Sequence, residues 1–339
     1  MQFRFTGEQV ELHDAVNNLL SVRCTPAAVR AAWSAPAGSL DRSTWQALAD
    51  MGAFDILVPV ADGGLGLDWC SLVLVLEATG RVALPYPFVE TAAVAAPLLG
   101  APSARPGAPM ISASLGGTPA VCGDDADLIL VDHGDSLLMV PRAGILGHPL
   151  ESVDRTRRLL RVDSVDKSQV RVVAEGPAAV EAALDSAALG TAAQLLGLAQ
   201  TMLDMTVAYV RERHQFGVPI ASLQAVKHRL ADALMELSFA RPVVYRAAWS
   251  MAVTDAGASG HVAMAKAMAS DAAELIGRDA LQCHGAMGYS DDYDLHLYLK
   301  RTWALARAFG SSAWHRQRVG SALGLTSARS RRAPHTTPD

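Results

Sequence analysis

The chain has 339 residues, half of them apolar, enough to bury a sizeable core and to form more than one structural unit. Lys and Arg number 29 against 34 Asp and Glu, a net charge of −5. That leaves no basic field to hold a nucleic-acid backbone, so nucleic acid is not an expected partner. Cys24, Cys70, Cys122 and Cys283 lie far apart, with no CxxC pair and no Cys/His ligand spacing. This predicts reduced thiols in a cytoplasmic protein and no metal site. The first twenty residues, MQFRFTGEQVELHDAVNNLL, carry Glu8, Glu11 and Asp14 on an amphipathic pattern, unlike the apolar segment of a signal peptide. No uncharged apolar run reaches the length of a bilayer span, so no membrane association is expected.

From Thr6 to about Leu99 the pattern is helical, with Val10, Leu12, Val16, Leu19 and Leu20 on one stripe and STWQALADMGAF opening on a Ser cap. Within it VPVADGGLGLDW is a loop of specific shape, because Gly63, Gly64 and Gly66 permit a backbone that no helix tolerates. After GAPSARPGAPM the period changes to short apolar runs, MISASL, DLILVD, SLLMV, RLLRVD and QVRVV, read as strands of a β unit from roughly Pro109 to Ala174. From Pro177 helix returns, with Val180, Leu184, Ala188, Leu195, Leu198, Met202, Met205 and Tyr209 at helical spacing. Further helices are expected at about 219–253, 257–283 and 292–323, the first kinked at Pro242. The expected class is mainly α with a small β domain. Its units are an N-terminal helical domain (1–105), a shortened middle β domain (106–175), a C-terminal four-helix bundle (176–326) and a disordered tail (327–339).

Two stretches carry candidate chemistry. RERHQFGVPIASLQAVKHRLAD (211–232) ends one long helix, turns through Gly217 and Pro219, and starts another. An arginine at such a turn can aim its planar fork of donors away from its own subunit, and that fork suits a pyrophosphate. Arg213 is the leading candidate; the alternative is a solvated helix end formed by Arg211, Glu212 and Arg213. LQCHGAMGYSDDYDLHLYLKR (281–301) places Gly285 and Gly288 at a helix end, while Gln282 offers an amide to a phosphate or an adenine edge. Gly285 can equally be a plain helix stop. Cys283 and His284 are adjacent and point in different directions, so they are not read as a nucleophile and its base. His296 and Tyr298 read as part of an amphipathic helix. Asp291 and Asp292 are expected to begin that helix and cap it.

Together these stretches resemble the acyl-CoA dehydrogenase family. VPVADGGLGLDW is similar to its N-terminal glycine loop, RERHQFGVPIASLQ to its arginine-containing flavin motif, and QCHGAMGY to its QxxGGxG motif, in the family's order. The resemblance implies an N-terminal helical domain, a middle β domain and a C-terminal four-helix bundle through which subunits associate, with FAD at a subunit boundary. It implies that the neighbour's ADP portion is gripped by residues matching Arg213, Gln215, Phe216 and Gln224, and by Gln282 to Ala286, including Gly285. Ala286 stands in place of the motif's second glycine.

The implied chemistry is α,β-dehydrogenation of an acyl-CoA thioester, in which a glutamate removes the α-proton as the β-hydrogen leaves as hydride. Yet the position matching that base is Phe309, and the alternative base position on the first bundle helix is Ala187. Asp185 matches a substrate-contacting position, but the arginine usual three residues on is Ala188. The flavin-lining segments of the family's β domain have no counterpart here. The loss is one-sided, and the chain looks like the smaller, non-catalytic partner of actinobacterial α2β2 enzymes that oxidise steroid side-chain CoA esters. Its expected role is to complete the FAD site of a catalytic partner subunit that takes the acyl-CoA. Alternatives are a self-sufficient homo-oligomeric dehydrogenase with a displaced base, Asp185 or Asp292, and a flavin-free scaffold.

Overall fold

The structure, a computed structural model, describes residues 4–103 and 107–325. The tail expected to be disordered, 327–339, and the domain boundaries expected at 105 and 326 lie outside the described residues. Four helices come first: α1 (Gly7–Arg23), α2 (Pro26–Ser34), α3 (Ser43–Asp50) and α4 (Trp69–Arg81). Thr6 starts α1 with a reciprocal cap, its Oγ1 accepting from the Gln9 amide while Gln9 Oε1 accepts from the Thr6 N–H. Asp68 caps α4 by accepting from the Cys70 and Ser71 amides. The cap expected from Ser43 is absent. Ser43 is the first helical residue, Arg42 stands at the N-cap without a side-chain bond, and Ser43 donates to Asp41 instead. The glycine loop folds back on residues 55–59, Leu65 N–H to Asp55 O, Gly66 N–H to Val58 O and Leu67 N–H to Ile56 O. A seven-residue π-helical segment, Val89–Ala95, runs into α5 (Ala96–Leu99).

The β unit holds β1 (Ile111–Ser114), β2 (Leu128–His133), β3 (Ser136–Pro141), β4 (Ile145–Leu150), β5 (Leu159–Val165) and β6 (Arg171–Glu175). Its sheet has the order β1-β2-β3-β6, with β1 parallel to β2 and the remaining pairs antiparallel, and β4 and β5 form a separate hairpin. The five apolar runs of the sequence become β1, β2, β3, β5 and β6. Strand β4 was missed because ILGHPL alternates weakly and contains a proline, a residue confined to edges of sheets.

Helix α6 (Pro177–Glu212), 36 residues long, leads into a two-residue-strand hairpin, β7 (His214–Gln215) and β8 (Val218–Pro219). Then come α7 (Gln224–Ala252), α8 (Ala258–His284), α9 (Leu295–Arg307) and α10 (Ser312–Ala322). Helix α7 continues unbroken through Pro242. Asp291 and Asp292 do not begin α9. The helix starts at Leu295, Asp294 is at its N-cap, and no side chain bonds the cap. The single helix expected over 292–323 is two helices, interrupted at Ala308–Ser311.

One continuous apolar core joins the N-terminal helices, part of the sheet and the bundle, and a smaller cluster fills the space between the sheet and the β4–β5 hairpin. Buried polar links fix the joints. Glu77 of α4 accepts from Arg241 and Tyr245 of α7, at 3.1 and 2.6 Å, while Arg241 also donates to Gln200 of α6. Arg301 of α9 ties Asp154 and Thr156 of the β unit to the Leu84 carbonyl. Breaking such a buried pair by removing one partner costs about 3–5 kcal/mol, because it strands the other charge. Among the described residues, α6 alone is long and apolar enough to cross a membrane, and 83% of its most apolar window is buried inside the fold.

Candidate functional site

The end of α6, the β7–β8 hairpin and the end of α8 meet around an open pocket of about 270 Å³, lined by Tyr209, Arg213, Gln215, Ile220 and residues 282–287. Thus Arg213, Gln215, Gln282, Gly285 and Ala286, far apart in sequence, share one site. Phe216 and Gln224 lie outside its lining: Phe216 at the hairpin tip, Gln224 as the first residue of α7. Among the described residues, no side-chain hydrogen bond or ion pair engages Arg213 or Gln282. Arg213, Gln215, Gln282, Gly285 and Ala286 are all exposed.

The local backbone explains why the groups point outward. Arg213 is the C-cap of α6, in extended conformation, and its carbonyl accepts from the Ile220 N–H at 2.8 Å. The hairpin turns through Phe216 (φ +55°) and Gly217 (φ +78°), the positive pair that a tight two-residue hairpin loop requires. A phenylalanine in this region is uncommon, and this one is 91% exposed. It does nothing for the chain's own core. On the facing side α8 stops at Gly285, whose φ of +58° and ψ of −135° lie where glycine alone is comfortable. Ala286 keeps a negative φ, so alanine is tolerated where the motif has its second glycine.

Behind the pocket, Tyr209 stacks on His284 with ring centroids 4.2 Å apart, and Tyr293 leans on the same imidazole at 4.9 Å. His284 is buried, its Nδ1 bonded to the Ala280 carbonyl at 2.8 Å, and burial lowers its pKa. Cys283 is half-buried beside it and shares no hydrogen bond with it. His296 bonds the Tyr293 carbonyl at 2.9 Å, as a helix residue would. Among the described residues, no group of three His, Cys, Asp or Glu is arranged to hold a metal.

The Asp185–Ala187 and Phe309 regions are closed. Ala187 is buried in α6, its carbonyl accepting from Thr191. Asp185 is 4% exposed and faces Arg318 of α10, Oδ1 to Nη2 2.7 Å, with Ser259 at 2.6 Å from the same guanidinium and Glu181 at 3.6 Å. Burial pushes the Asp185 carboxyl up, against the pull of Arg318. Its carboxylate is thus committed within the chain. Asp292 is exposed in the turn before α9 and accepts from Ser290. Phe309 is 3% exposed in the main core.

Sequence reasoning missed Arg318, Lys266, His315 and Thr118. Lys266 had a visible signal. It stands at helical spacing from Val262, Ala269, Ser270 and Ala273 on the buried face of α8.

Comparison with known proteins places the fold in a family. Residues 6–104 match the family profile "Acyl-CoA dehydrogenase, N-terminal domain", and residues 174–324 match "Acyl-CoA dehydrogenase, C-terminal domain". The chain is 32% identical over 315 residues to "Acyl-CoA dehydrogenase IpdE2" of Mycobacterium tuberculosis, covering 90% of this chain and 93% of that one. It is 31% identical over 310 residues to the protein of the same name from Mycolicibacterium smegmatis, covering 89% and 94%. Among solved structures, the ChsE4-ChsE5 complex from Mycobacterium tuberculosis superposes with a TM-score of 0.82 at 25% identity, covering 97% of this chain and 100% of that one. The "Tcur3481-Tcur3483 steroid ACAD G363A variant" gives 0.78 at 25%, covering 95% and 99%. The fold, the two profile matches and the full-length relatives agree: the chain belongs to the acyl-CoA dehydrogenase family, whose members are FAD-dependent oxidoreductases acting on acyl-CoA.

Proposed function

We propose that this chain is the non-catalytic subunit of a hetero-oligomeric, α2β2 acyl-CoA dehydrogenase, and that it grips the ADP half of an FAD whose ring half and catalytic base belong to the partner subunit. The carrying observation is the contrast between an outward, unpaired Arg213–Gln282 pocket and a buried Phe309 at the base position. The residues fit half of the cofactor. Arg213 supplies an unpaired cation for the diphosphate, Gln282 and Gln215 supply amides, and the glycine-stopped end of α8 lets a ligand approach the backbone. The catalytic base has no counterpart, since Ala187 and Phe309 carry no carboxylate and Asp185 is held by Arg318.

Bound FAD would supply the hydride acceptor for α,β-dehydrogenation. This chain binds and orients the ADP end and takes no proton from substrate.

A surface for the partner supports the same reading. Helix α7 exposes Ala231, Leu234, Met235, Ser238, Phe239 and Pro242, one stripe at spacings of three and four. An apolar helix face of that length, like the exposed Phe216, suits burial against another subunit. The two-component complexes among the structural relatives favour an acyl-CoA dehydrogenase as that subunit, and the steroid enzyme among them favours a steroid side-chain CoA ester as substrate.

The test is Arg213→Ala in the assembled complex. A charge-assisted bond of this type contributes about 1.5–3 kcal/mol, so the variant should hold FAD roughly 10–150-fold more weakly while folding and assembling normally. Full flavin occupancy and unchanged FAD affinity in the assembled variant would remove the reading.

A further inference from the structure

Between α9 and α10 the chain breaks for four residues, Ala308–Ser311. Phe309 has φ +54° and Gly310 +107°. A non-glycine residue held there costs about 1–3 kcal/mol and persists only where its surroundings over-determine it. Three side chains from three elements do so. Thr118, in the loop after β1, accepts the Phe309 N–H at 3.2 Å. His315 of α10 donates from Nε2 to the Phe309 carbonyl at 3.0 Å. Lys266 of α8 extends its Nζ to the carbonyls of Leu305 (3.0 Å), Ala306 (3.1 Å) and Gly310 (3.2 Å), and to Ser270 Oγ at 3.2 Å.

The three carbonyls match the three N–H groups, and Ser270 Oγ is a fourth, shared partner. An ammonium has three N–H groups, and three backbone carbonyls surround this one, two of them in the last turn of α9 where the helix dipole favours a cation. Both Lys266 and His315 are fully buried. Burial pushes Lys266 down to about 7. Burial, with the charges of Lys266 and Arg318, holds His315 down to about 2, so its ring stays neutral at physiological pH. Ser311 then caps α10 by accepting the Trp314 N–H at 3.3 Å. Burying a lysine costs several kcal/mol, a large investment in a turn that bears no reactive group.

We propose that Lys266, His315 and Thr118 form a lock that fixes the Phe309 turn as a permanent wall of the core, so that a carboxylate returned to position 309 does not become a working base. The proposal rests on the non-catalytic reading above for the meaning of position 309, and on the turn's own bonds for the lock. It makes the loss of the base a rebuilt structure, beyond a single missing glutamate. A carboxyl placed at 309 would sit in a site closed to solvent, its backbone tied at both the N–H and the carbonyl.

The test uses the full chain. Amide hydrogen exchange over residues 305–311 should accelerate at least tenfold in Lys266→Met, with amides at the Arg213 end of the bundle unchanged. His315→Leu should accelerate the same segment, and His315→Gln, which keeps a donor, should stay closer to wild type. Should Lys266→Met fail to fold, Thr118→Val reads the same segment with a smaller acceleration. Phe309→Glu, alone and co-expressed with a glutamate-bearing relative, should bring no flavin reduction by acyl-CoA above the wild-type level. Wild-type exchange over 305–311 in a folded Lys266→Met, or new turnover in Phe309→Glu, overturns the lock. FAD loss in Arg213→Ala is a separate readout: if it fails, the shared-cofactor reading falls and the lock is judged by exchange alone.

Discussion

Lys266 and Gln282 lie on the same helix, α8, about 24 Å apart at 1.5 Å per residue, and the two ends they mark are built on opposite principles. At the Gln282 end, polar groups go unpaired, a phenylalanine stands 91% exposed on a positive-φ turn, and the backbone stops at a glycine-only conformation. At the Lys266 end, a positive-φ phenylalanine is buried and its N–H and carbonyl, with the carbonyls around it, are claimed by side chains of the same chain. Strain that faces outward, with nothing in the chain to satisfy it, marks a surface made for something else. Strain that faces inward, held at the Phe309 N–H and carbonyl by side chains of the same chain, marks a structural decision. On the shared-cofactor reading proposed above, the difference separates a retained function from a discarded one within one helical bundle.

The largest expected effect tests the inward end. A Cβ at Gly310 would lie 2.4 Å from Trp314 and 2.8 Å from His315 Nε2, on a backbone with φ +107°. Gly310→Ala should therefore cost about 3–5 kcal/mol, from overpacking plus backbone strain, read as a lowered urea midpoint. A loss below 1 kcal/mol would show a soft turn and erase the contrast. At the outward end, a Cβ on Gly285 meets only open space, so the cost of Gly285→Ala comes from the backbone alone. It should be about 2 kcal/mol, while Ala286→Gly next to it should change stability by under about 1 kcal/mol. Equal effects at the two positions would contradict the conformations assigned to them.

The inward end also carries a pH signature. Above pH 6.5, His315 is neutral in both folded and unfolded chains and contributes no slope. Below it the unfolded ring takes a proton that the folded ring, held down to about 2, refuses. Stability should then fall by about 1.4 kcal/mol per pH unit on account of this group. Between pH 6.5 and 5, where the unfolded ring goes from half to nearly fully protonated, wild type should lose about 1.6 kcal/mol more than His315→Gln. Parallel losses in the two proteins would show that the imidazole is not sealed from protons. The smallest effect belongs to Phe216→Ala, which should leave the stability of the chain alone within about 0.5 kcal/mol. Its partner association and FAD retention should nevertheless weaken, as measured by sedimentation and flavin absorbance.

The order of helices, β unit and helices was legible because each segment keeps its own hydrophobic period over many residues. Arg213, Gln215, Gln282, Gly285 and Ala286 share one pocket and Phe216 and Gln224 lie outside its lining; the residue types alone left both stretches open to plainer readings, and it is the family resemblance that joins them. The break at Ala308–Ser311 was not legible. The alanine and leucine spacing runs through it, and what stops the helix is a set of side chains 40 to 200 positions away, Lys266 and Thr118. The partner of Asp185 was equally illegible: Arg318, 133 positions later, bonds its carboxylate. Caps at Ser43 and Asp291–Asp292 failed because a cap depends on one residue's register, which competing side-chain bonds such as Ser43 to Asp41 decide.

The most direct measurement is the visible spectrum and native mass of this chain purified alone, and after co-expression with its longer, glutamate-bearing relative. The account predicts a colourless chain alone, and with the relative a yellow hetero-oligomer holding one FAD per pair of unlike subunits. A yellow homo-oligomer of this chain that reduces its own flavin with acyl-CoA would contradict it.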